Sequence, residues 1–180
     1  MEVSKVELVA LGLLADEPAH GYELLERGRA LGMEVWADAG KASVYQALRR
    51  LESEGAISSR VQDGAGGPDR RVYRIARGGR DRLRRGVLER LGSPDREEAA
   101  SALGLVHRLS SGDAKDGLAA HDAALRERLE AVEEERPRVA AQRGPFAAVA
   151  ARMLEREEAL LRADLAWLGS FRRGISRLAK

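Results

Sequence analysis

The segment of residues 41–54 carries groups that could bind a polyanion on one side of a helix. At 100° per residue, Val44, Leu48 and Leu51 fall within one narrow arc. The positions opposite them are mostly polar: Ala42, Gln46, Arg49, Arg50 and Ser53. One face therefore suits a hydrophobic core. The other suits a bound partner or, in the simpler interpretation, solvent alone.

This polar face has the chemistry that duplex DNA requires of a protein. Lys41 and Ser43 stand in the leading turn, where a cation, a hydroxyl and backbone N–H groups can meet phosphate oxygens. Gln46 suits adenine and Arg50 suits guanine at base edges in the major groove, and Arg49 adds a cation on the same face. Tyr45 lies between the two faces, so packing and a phosphate contact through its hydroxyl are both open.

A change of period from helical spacing to alternation predicts a β-hairpin over residues 56–75. Its two strands are joined by a turn-rich loop, Asp63-Gly64-Ala65-Gly66-Gly67-Pro68-Asp69. Arg70, Arg71 and Arg74 follow at once, so the hairpin could lie as a basic wing against the minor groove or the backbone of DNA. A nucleotide-binding loop is excluded, because Gly-Lys-Ser/Thr is missing and the loop joins two strands.

Charge is distributed unevenly along the chain, although its net charge is only +2. Residues 41–90 contain 13 Lys and Arg against 6 Asp and Glu, a balance of +7, whereas residues 1–40 contain 3 against 8. A local basic block favours a phosphate-facing surface, because neutralising phosphates releases condensed counterions. A solvated Arg-rich surface is the alternative.

The predicted element order is three helices, the hairpin and a further helix. The helices are expected at about Val6–Leu14, Gly21–Leu31, Lys41–Glu54 and Gly79–Leu91. Tyr22 and Leu31 are assigned to the inward stripe of the second helix, and Trp36 to packing beneath the turn before the third. Ser93-Pro94-Asp95 has the residues of a new helix start, so a domain boundary is expected between residues 92 and 93.

The same region resembles the PadR-like family of transcriptional regulators over about residues 4–83. The matching residues are Leu11-Gly12-Leu13-Leu14, His20-Gly21-Tyr22-Glu23-Leu24, Ser43-Val44-Tyr45, Ala47-Leu48-Arg49-Arg50-Leu51-Glu52, Glu54-Gly55, Gly67-Pro68, Arg70, Arg71, Tyr73 and Gly79-Arg80. The resemblance implies a winged helix-turn-helix, a homodimer built through C-terminal helices, and repression of a nearby promoter, often relieved by a small-molecule effector. Two positions depart from the family pattern: Gln46 replaces a common Pro, and Ala76 replaces a Thr.

The C-terminal half is predicted to be an α-helical dimerisation domain, with helices at about 94–110, 113–136 and 146–175. Two apolar seams of helical spacing are assigned to the dimer contact. Their residues are Leu118, Leu125, Leu129, Val132, Leu161, Leu165, Trp167 and Leu168. A second stripe on the last helix contains Met153, Leu160, Trp167 and Phe171. Residues 163–168 resemble the C-terminal domain of the virulence-activator branch of the same family, and Trp167 is assigned to packing rather than to an effector pocket.

Composition excludes several other classes of protein. With no cysteine in 180 residues, neither a disulfide framework nor a thiolate metal site can form, and a cytoplasmic location is expected. The apolar run of residues 8–15 is too short to span a bilayer. His20, His107 and His121 lack metal-ligand spacing, and no catalytic motif occurs. We therefore expect no enzyme, metal or cofactor.

The fold class predicted from these patterns is mainly α with a small β-hairpin. A winged helix-turn-helix DNA-binding domain is expected over residues 1–92 and the dimerisation domain over residues 93–180. The predicted partners are double-stranded DNA containing an inverted-repeat operator, a second copy of the chain and a small-molecule effector. The alternative function is a protein-interaction adaptor that uses the winged helix as a scaffold without specific DNA binding.

Overall fold

The computed structural model describes residues 3–33, 40–62 and 70–178, with side chains as far as residue 175. Trp36 and the loop of residues 63–69, for which the sequence makes predictions, lie outside the described residues. Seven helices and three strands are described in these ranges. They are α1 (Lys5–Leu14), β1 (Ala19–His20), α2 (Gly21–Ala30), α3 (Lys41–Ser53), β2 (Ile57–Gln62), β3 (Arg70–Ile75), α4 (Arg77–Leu91), α5 (Arg96–Leu105), α6 (Ser111–Ala140) and α7 (Pro145–Leu178).

The chain divides into two compact units, one formed within residues 1–91 and 95–110 and the other by residues 92–94 and 111–180. The predicted fold class is confirmed: the protein is mainly helical, with one small antiparallel sheet. Among the described residues, none of the helices combines the length and the apolar character needed to cross a membrane.

The first unit is built around α1, which is buried along nearly its whole length. A capping box starts this helix: the Ser4 hydroxyl accepts from the Glu7 N–H at 3.2 Å, and the Glu7 carboxylate accepts from the Ser4 N–H at 2.8 Å. Residues 7–14 are all buried. Because α2, α3 and α4 pack around it, α1 forms the centre of this unit.

The sheet has the strand order β1-β3-β2 and is antiparallel throughout. The hairpin register pairs Ile57 with Ile75 and Gln62 with Arg70. Ile57, Tyr73 and Ile75 are buried, so one face of the sheet closes the core of the unit. The predicted hairpin is confirmed, but the sequence did not predict β1, because two residues are too short to show alternation.

Helix α5 belongs to the first unit, whereas the sequence-based boundary at residues 92 and 93 assigns it to the second domain. The Leu105 side chain of α5 packs closely against α1 at Gly12. A Cβ added at Gly12 would lie only 2.3 Å from Cδ2 of Leu105. Ion pairs support the same packing: Lys5 with Glu97, Arg90 with Glu98, and Arg108 with Asp16. Sequence periodicity showed where this helix starts, but not which core it would join.

The second unit contains α6 and α7, which pack against each other. Glu158 is buried and forms ion pairs with Arg136, at 3.2 Å, and with Arg162. Arg162 also pairs with Glu133 at 2.8 Å, which ties the two helices together. The prediction that α6 ends near residue 136 is wrong, since it continues through Pro137 to Ala140. Proline weakens a helix but did not end this one.

Most of the predicted dimerisation residues are buried within the single chain. They are Leu118, Leu125, Val132, Leu161 and Leu168, with Leu129 and Leu165 half-buried. The five buried side chains are covered within the single chain and are not available to a second copy, which corrects their assignment to the dimer contact. For Leu129 and Leu165, which are only partly covered, the assignment stays a prediction. Trp167, by contrast, is 50% exposed and stacks on Phe171 at 4.7 Å between ring centroids.

Candidate nucleic-acid interface

Helix α3 has the two faces that its sequence predicts. Val44, Leu48 and Leu51 are buried, and Ala47 joins them on the inner side. Facing outward are Lys41, Ser43, Gln46 and Arg49, with Tyr45 half-buried between the faces. Among the described residues, neither Lys41 nor Arg49 has an acidic partner. These two cations are therefore free to meet an anion.

The first turn of α3 differs from those of α1, α2 and α5. The latter three contain acidic side chains in the first turn or at the N-cap, whereas α3 starts at Gly40 with no side-chain cap and has no acid in its first turn. Uncapped N–H groups at a helix start attract anions through hydrogen bonding and the helix dipole. Together with Lys41 and Ser43, this turn is suited to a phosphate group.

Arg50 is the one predicted contact on this helix that the structure assigns elsewhere. Its Nε lies 3.3 Å from Oε1 of Glu7 and 3.2 Å from Oε1 of Glu54. Glu54 also binds Arg82, whose hydrogen bond is the main reason that the pKa of Glu54 falls below its ordinary value of 4.5. Arg50 therefore joins α1, α3 and α4 and does not point freely toward base edges.

The wing arginines fall on two faces of the sheet. Directly opposed residues of an antiparallel pair share a face, and residues alternate along each strand. Arg71 therefore lies with Tyr73 on the inner face, where its Nη1 is 3.1 Å from Oε2 of Glu52 on α3. Arg70 and Arg74 lie on the outer face, exposed and without an acidic partner among the described residues. Arg71 is thus joined by an ion pair to α3, which is the proposed recognition helix.

Arg60 is an additional basic residue that the sequence analysis did not select. It pairs with Val72 in the register, which places it on the same outer face as Arg70 and Arg74. It is exposed, like both of them. The alternation of Ile57 and Val61 with polar residues already predicted its orientation, but only the pairing register shows that the three cations share a face.

A groove of about 430 Å³ lies where α2, α3 and the wing meet. Its lining includes His20, Tyr22, Tyr45, Arg70, Arg71 and Tyr73.

The prediction that Tyr22 faces inward is wrong, since it is 65% exposed, and Leu31, assigned to the same stripe, is 62% exposed. Tyr45 packs over Gly21, where a Cβ would lie 2.6 Å from its ring. Burial raises the pKa of Tyr73 above its ordinary value of 10.0.

Comparison with protein families supports the interpretation of this unit. Residues 10–85 match the model of the transcriptional regulator PadR-like family. The likeness to this family extends over 76 of the 180 residues. The family consists of transcriptional regulators and not of enzymes. The match covers the second half of α1, all of α2 and α3, the hairpin and most of α4. It thus includes each DNA-contacting residue predicted from the sequence.

One curated relative of this chain is described as "Probable transcriptional regulator Rv1176c" from Mycobacterium tuberculosis. The two are 35% identical over 91 residues, which are 50% of this chain and 47% of the relative. The chain thus spans about half the length of that relative.

Two solved structures show weaker likeness to this chain. Bacillus subtilis PadR in complex with operator DNA is 19% identical, with a TM-score of 0.45 over 91% of this chain and 95% of that one. The smu.1604c protein of Streptococcus mutans is also 19% identical, with a TM-score of 0.40 over the full length of both chains. With both scores below 0.5, neither likeness contributes to the assignment.

Proposed function

We propose that this protein is a sequence-specific DNA-binding transcriptional regulator, which acts as a homodimeric repressor. The observation that carries the proposal is the outward face of α3 in a PadR-like domain. Lys41 and Arg49 lie there with no acidic partner in the part of the chain that the structure describes, beside the amide of Gln46 and an uncapped helix start. Cations and N–H groups position a phosphate backbone, and an exposed amide in the major groove discriminates between bases.

The proposed interface includes eight of the nine residues predicted from the sequence, without Arg50. Lys41, Ser43, Tyr45 and Arg49 contact the backbone, and Gln46 contacts bases. Arg71 extends the basic surface on the inner face of the wing, and Arg70, Arg74 and the newly found Arg60 contribute from its outer face. Contact with chromosomal DNA would place the protein in the cytoplasm of a bacterial cell.

A second copy of the chain is the proposed partner of an uncovered stripe on α7. Phe146 is 88% exposed, Val149 63%, Met153 56% and Trp167 50%. Their spacing keeps them near one side of the helix over about 31 Å, at 1.5 Å per residue. A long apolar stripe of heptad-like spacing matches itself in a twofold pair. Repression, and its relief by a small-molecule effector, stay predictions from the family resemblance.

Binding to genomic DNA fragments tests the proposal. The protein should retain specific duplex fragments, and affinity for the operator should fall steeply between about 50 and 200 mM salt, as expected for several phosphate contacts. Gln46→Ala should change the sequence preference, whereas Arg49→Ala should weaken all duplexes similarly. Arg143→Ala, which removes one exposed charge from the loop between α6 and α7, is the matched control and should leave binding unchanged. Salt-independent binding, or none, would favour the adaptor function instead.

The symmetry of a homodimer predicts an inverted-repeat operator. Two copies of α3 should meet equivalent half-sites about 10 base pairs, or a small multiple of that, apart. Inserting about five base pairs between half-sites should abolish tight binding, because one half-site then faces the opposite side of the duplex. Inserting about ten should restore part of it. Equal binding to all spacers would show that the two domains bind independently.

A further inference from the structure

Glu52, in the last turn of α3, forms hydrogen bonds with both strands of the wing. Its Oε1 accepts a hydrogen bond from the Ser59 hydroxyl on β2. Its Oε2 accepts from Nη1 of Arg71 on β3 at 3.1 Å. A single carboxylate therefore connects the recognition helix to two different strands, and its side chain is 30% exposed.

The position of this contact gives it more than a general stabilising role. Ser59 pairs with Tyr73 in the register, and Arg71 pairs with Val61 toward the end of the hairpin at which residues 63–69 join the two strands. Val61 is 59% exposed, so the apolar packing between sheet and helix has ended at this level. Further along the strands than the buried pair of Ile57 and Ile75, the Glu52 side chain therefore connects the wing to α3 through hydrogen bonds and an ion pair.

We propose that Glu52 is a specificity-determining positioning residue that fixes the wing relative to the recognition helix before DNA is bound. The inference rests on the proposed function, since it concerns how the same interface selects its operator. Arg70 at the start of β3 is then held at a set distance from Gln46 and Arg49. In operator DNA, the groove that α3 enters and the backbone that the wing contacts lie at one fixed distance. A wing that is already held at the matching distance loses no conformational entropy when it binds, which favours the operator.

If only electrostatics mattered, loss of the Glu52 carboxylate would strengthen DNA binding, whereas the positioning role predicts weaker binding to the operator. Glu52 places a negative charge in an otherwise basic interface, so removing it should strengthen binding to any duplex if the side chain acts only as a counter-charge. If it positions the wing, binding to the operator should weaken while binding to unrelated DNA does not. The ratio of the two affinities separates these roles.

The test measures the affinity of the full chain for its genomic operator and for an unrelated duplex at one salt concentration, by fluorescence anisotropy. Ser59→Ala is the cleanest variant, because it removes one tie and changes no charge. We expect it to weaken operator binding about three- to tenfold, which is the range for the loss of one ordinary hydrogen bond, and to leave the unrelated duplex unaffected. Glu52→Gln should lower the ratio of the two affinities, even if unrelated DNA is bound more tightly.

Glu54→Gln is the matched control, two residues further along. Glu54 binds Arg50 and Arg82 and has no contact with the hairpin among the described residues, so its loss should reduce stability and leave the affinity ratio unchanged. The proposal is overturned if Ser59→Ala leaves operator binding unchanged, or if Glu52→Gln strengthens binding to both duplexes by the same factor. If the unaltered protein prefers no genomic duplex, the proposed function itself has failed, which is a distinct result.

Discussion

Nε of Arg50 lies 3.3 Å from Oε1 of Glu7, whose side chain is only 5% exposed. The second oxygen of Glu7 accepts from the Ser4 N–H. A buried carboxylate is stable only when a cation and hydrogen bonds compensate its charge. Arg50 on α3 therefore stabilises Glu7 near the start of α1 through this ion pair.

This contact predicts different consequences for two neighbouring arginines. Arg50→Met should lower the free energy of unfolding by about 2 kcal/mol, because Glu7 is left buried without its cation. Arg49→Met should change it by less than about 0.5 kcal/mol and should weaken DNA binding instead. Urea unfolding and anisotropy measure the two effects. Equal stability of both variants would contradict the role given to Arg50.

Gly79 lies where α4 crosses the start of the hairpin, and its missing side chain is required there. A Cβ would lie 2.1 Å from the carbonyl oxygen of Ala56, which accepts from the Ala76 N–H at 3.0 Å and so cannot move freely. We expect Gly79→Ala to cost more than about 2 kcal/mol of stability. At Gly78 nothing lies within 4 Å, so Gly78→Ala should be neutral or stabilising by up to about 0.5 kcal/mol. Thermal unfolding of the pair decides the point, and similar losses would refute it.

The packing of α5 predicts which N-terminal fragment is stable. A fragment of residues 1–110 keeps Ala102, Leu105 and Val106 buried with the first unit. A fragment of residues 1–92 exposes the apolar surface that they cover and should be less stable by at least about 3 kcal/mol. Circular dichroism melting of the two fragments measures the difference. Identical melting temperatures would restore the boundary that the sequence alone suggested.

The acid stability of the protein should depend on Glu54. The pKa of this group is lowered in the folded state, mainly by the hydrogen bond from Arg82, so its contribution is full above the ordinary value of 4.5 and is lost as the pH falls through the lower folded value. Glu54→Gln should reduce stability by about 1 kcal/mol at pH 7 and should flatten the decline between about pH 5 and 3. Glu89→Gln, at an exposed position of α4, should follow the unaltered protein. Parallel pH curves for all three proteins would show that the ion pair contributes nothing.

The exposed stripe on α7 predicts how the proposed dimer can be broken without unfolding the chain. Met153→Glu should give a monomer in sedimentation with unchanged helicity, because a charge is placed at the centre of the apolar stripe. Ala159→Glu adds the same charge at another exposed position of α7 and should leave the dimer intact. A dimer that survives Met153→Glu would mean that the interface lies elsewhere, and an unaltered chain that is monomeric would end the proposal.

Much of the local structure was determined by the sequence alone. The spacing of Val44, Leu48 and Leu51 placed the core face of α3, and the alternation around Ile57 and Ile75 predicted the hairpin. These inferences succeed because helical and strand periods depend only on positions along one element. The basic face of α3 and the resemblance to PadR-like regulators followed from the same local patterns.

Only the tertiary structure decided what each exposed charge and apolar seam does. Arg49 and Arg50 are adjacent in sequence, yet Arg50 is bound to Glu7, 43 positions away, whereas Arg49 has no acidic partner within residues 3–33, 40–62 and 70–175. The seam of Leu118, Leu125 and Val132 is equally suited to a helix of the same chain or of another, and it is buried within the single chain. Periodicity shows that a face will be covered, but the covering group is set by three-dimensional packing between residues far apart in sequence, which no local pattern contains.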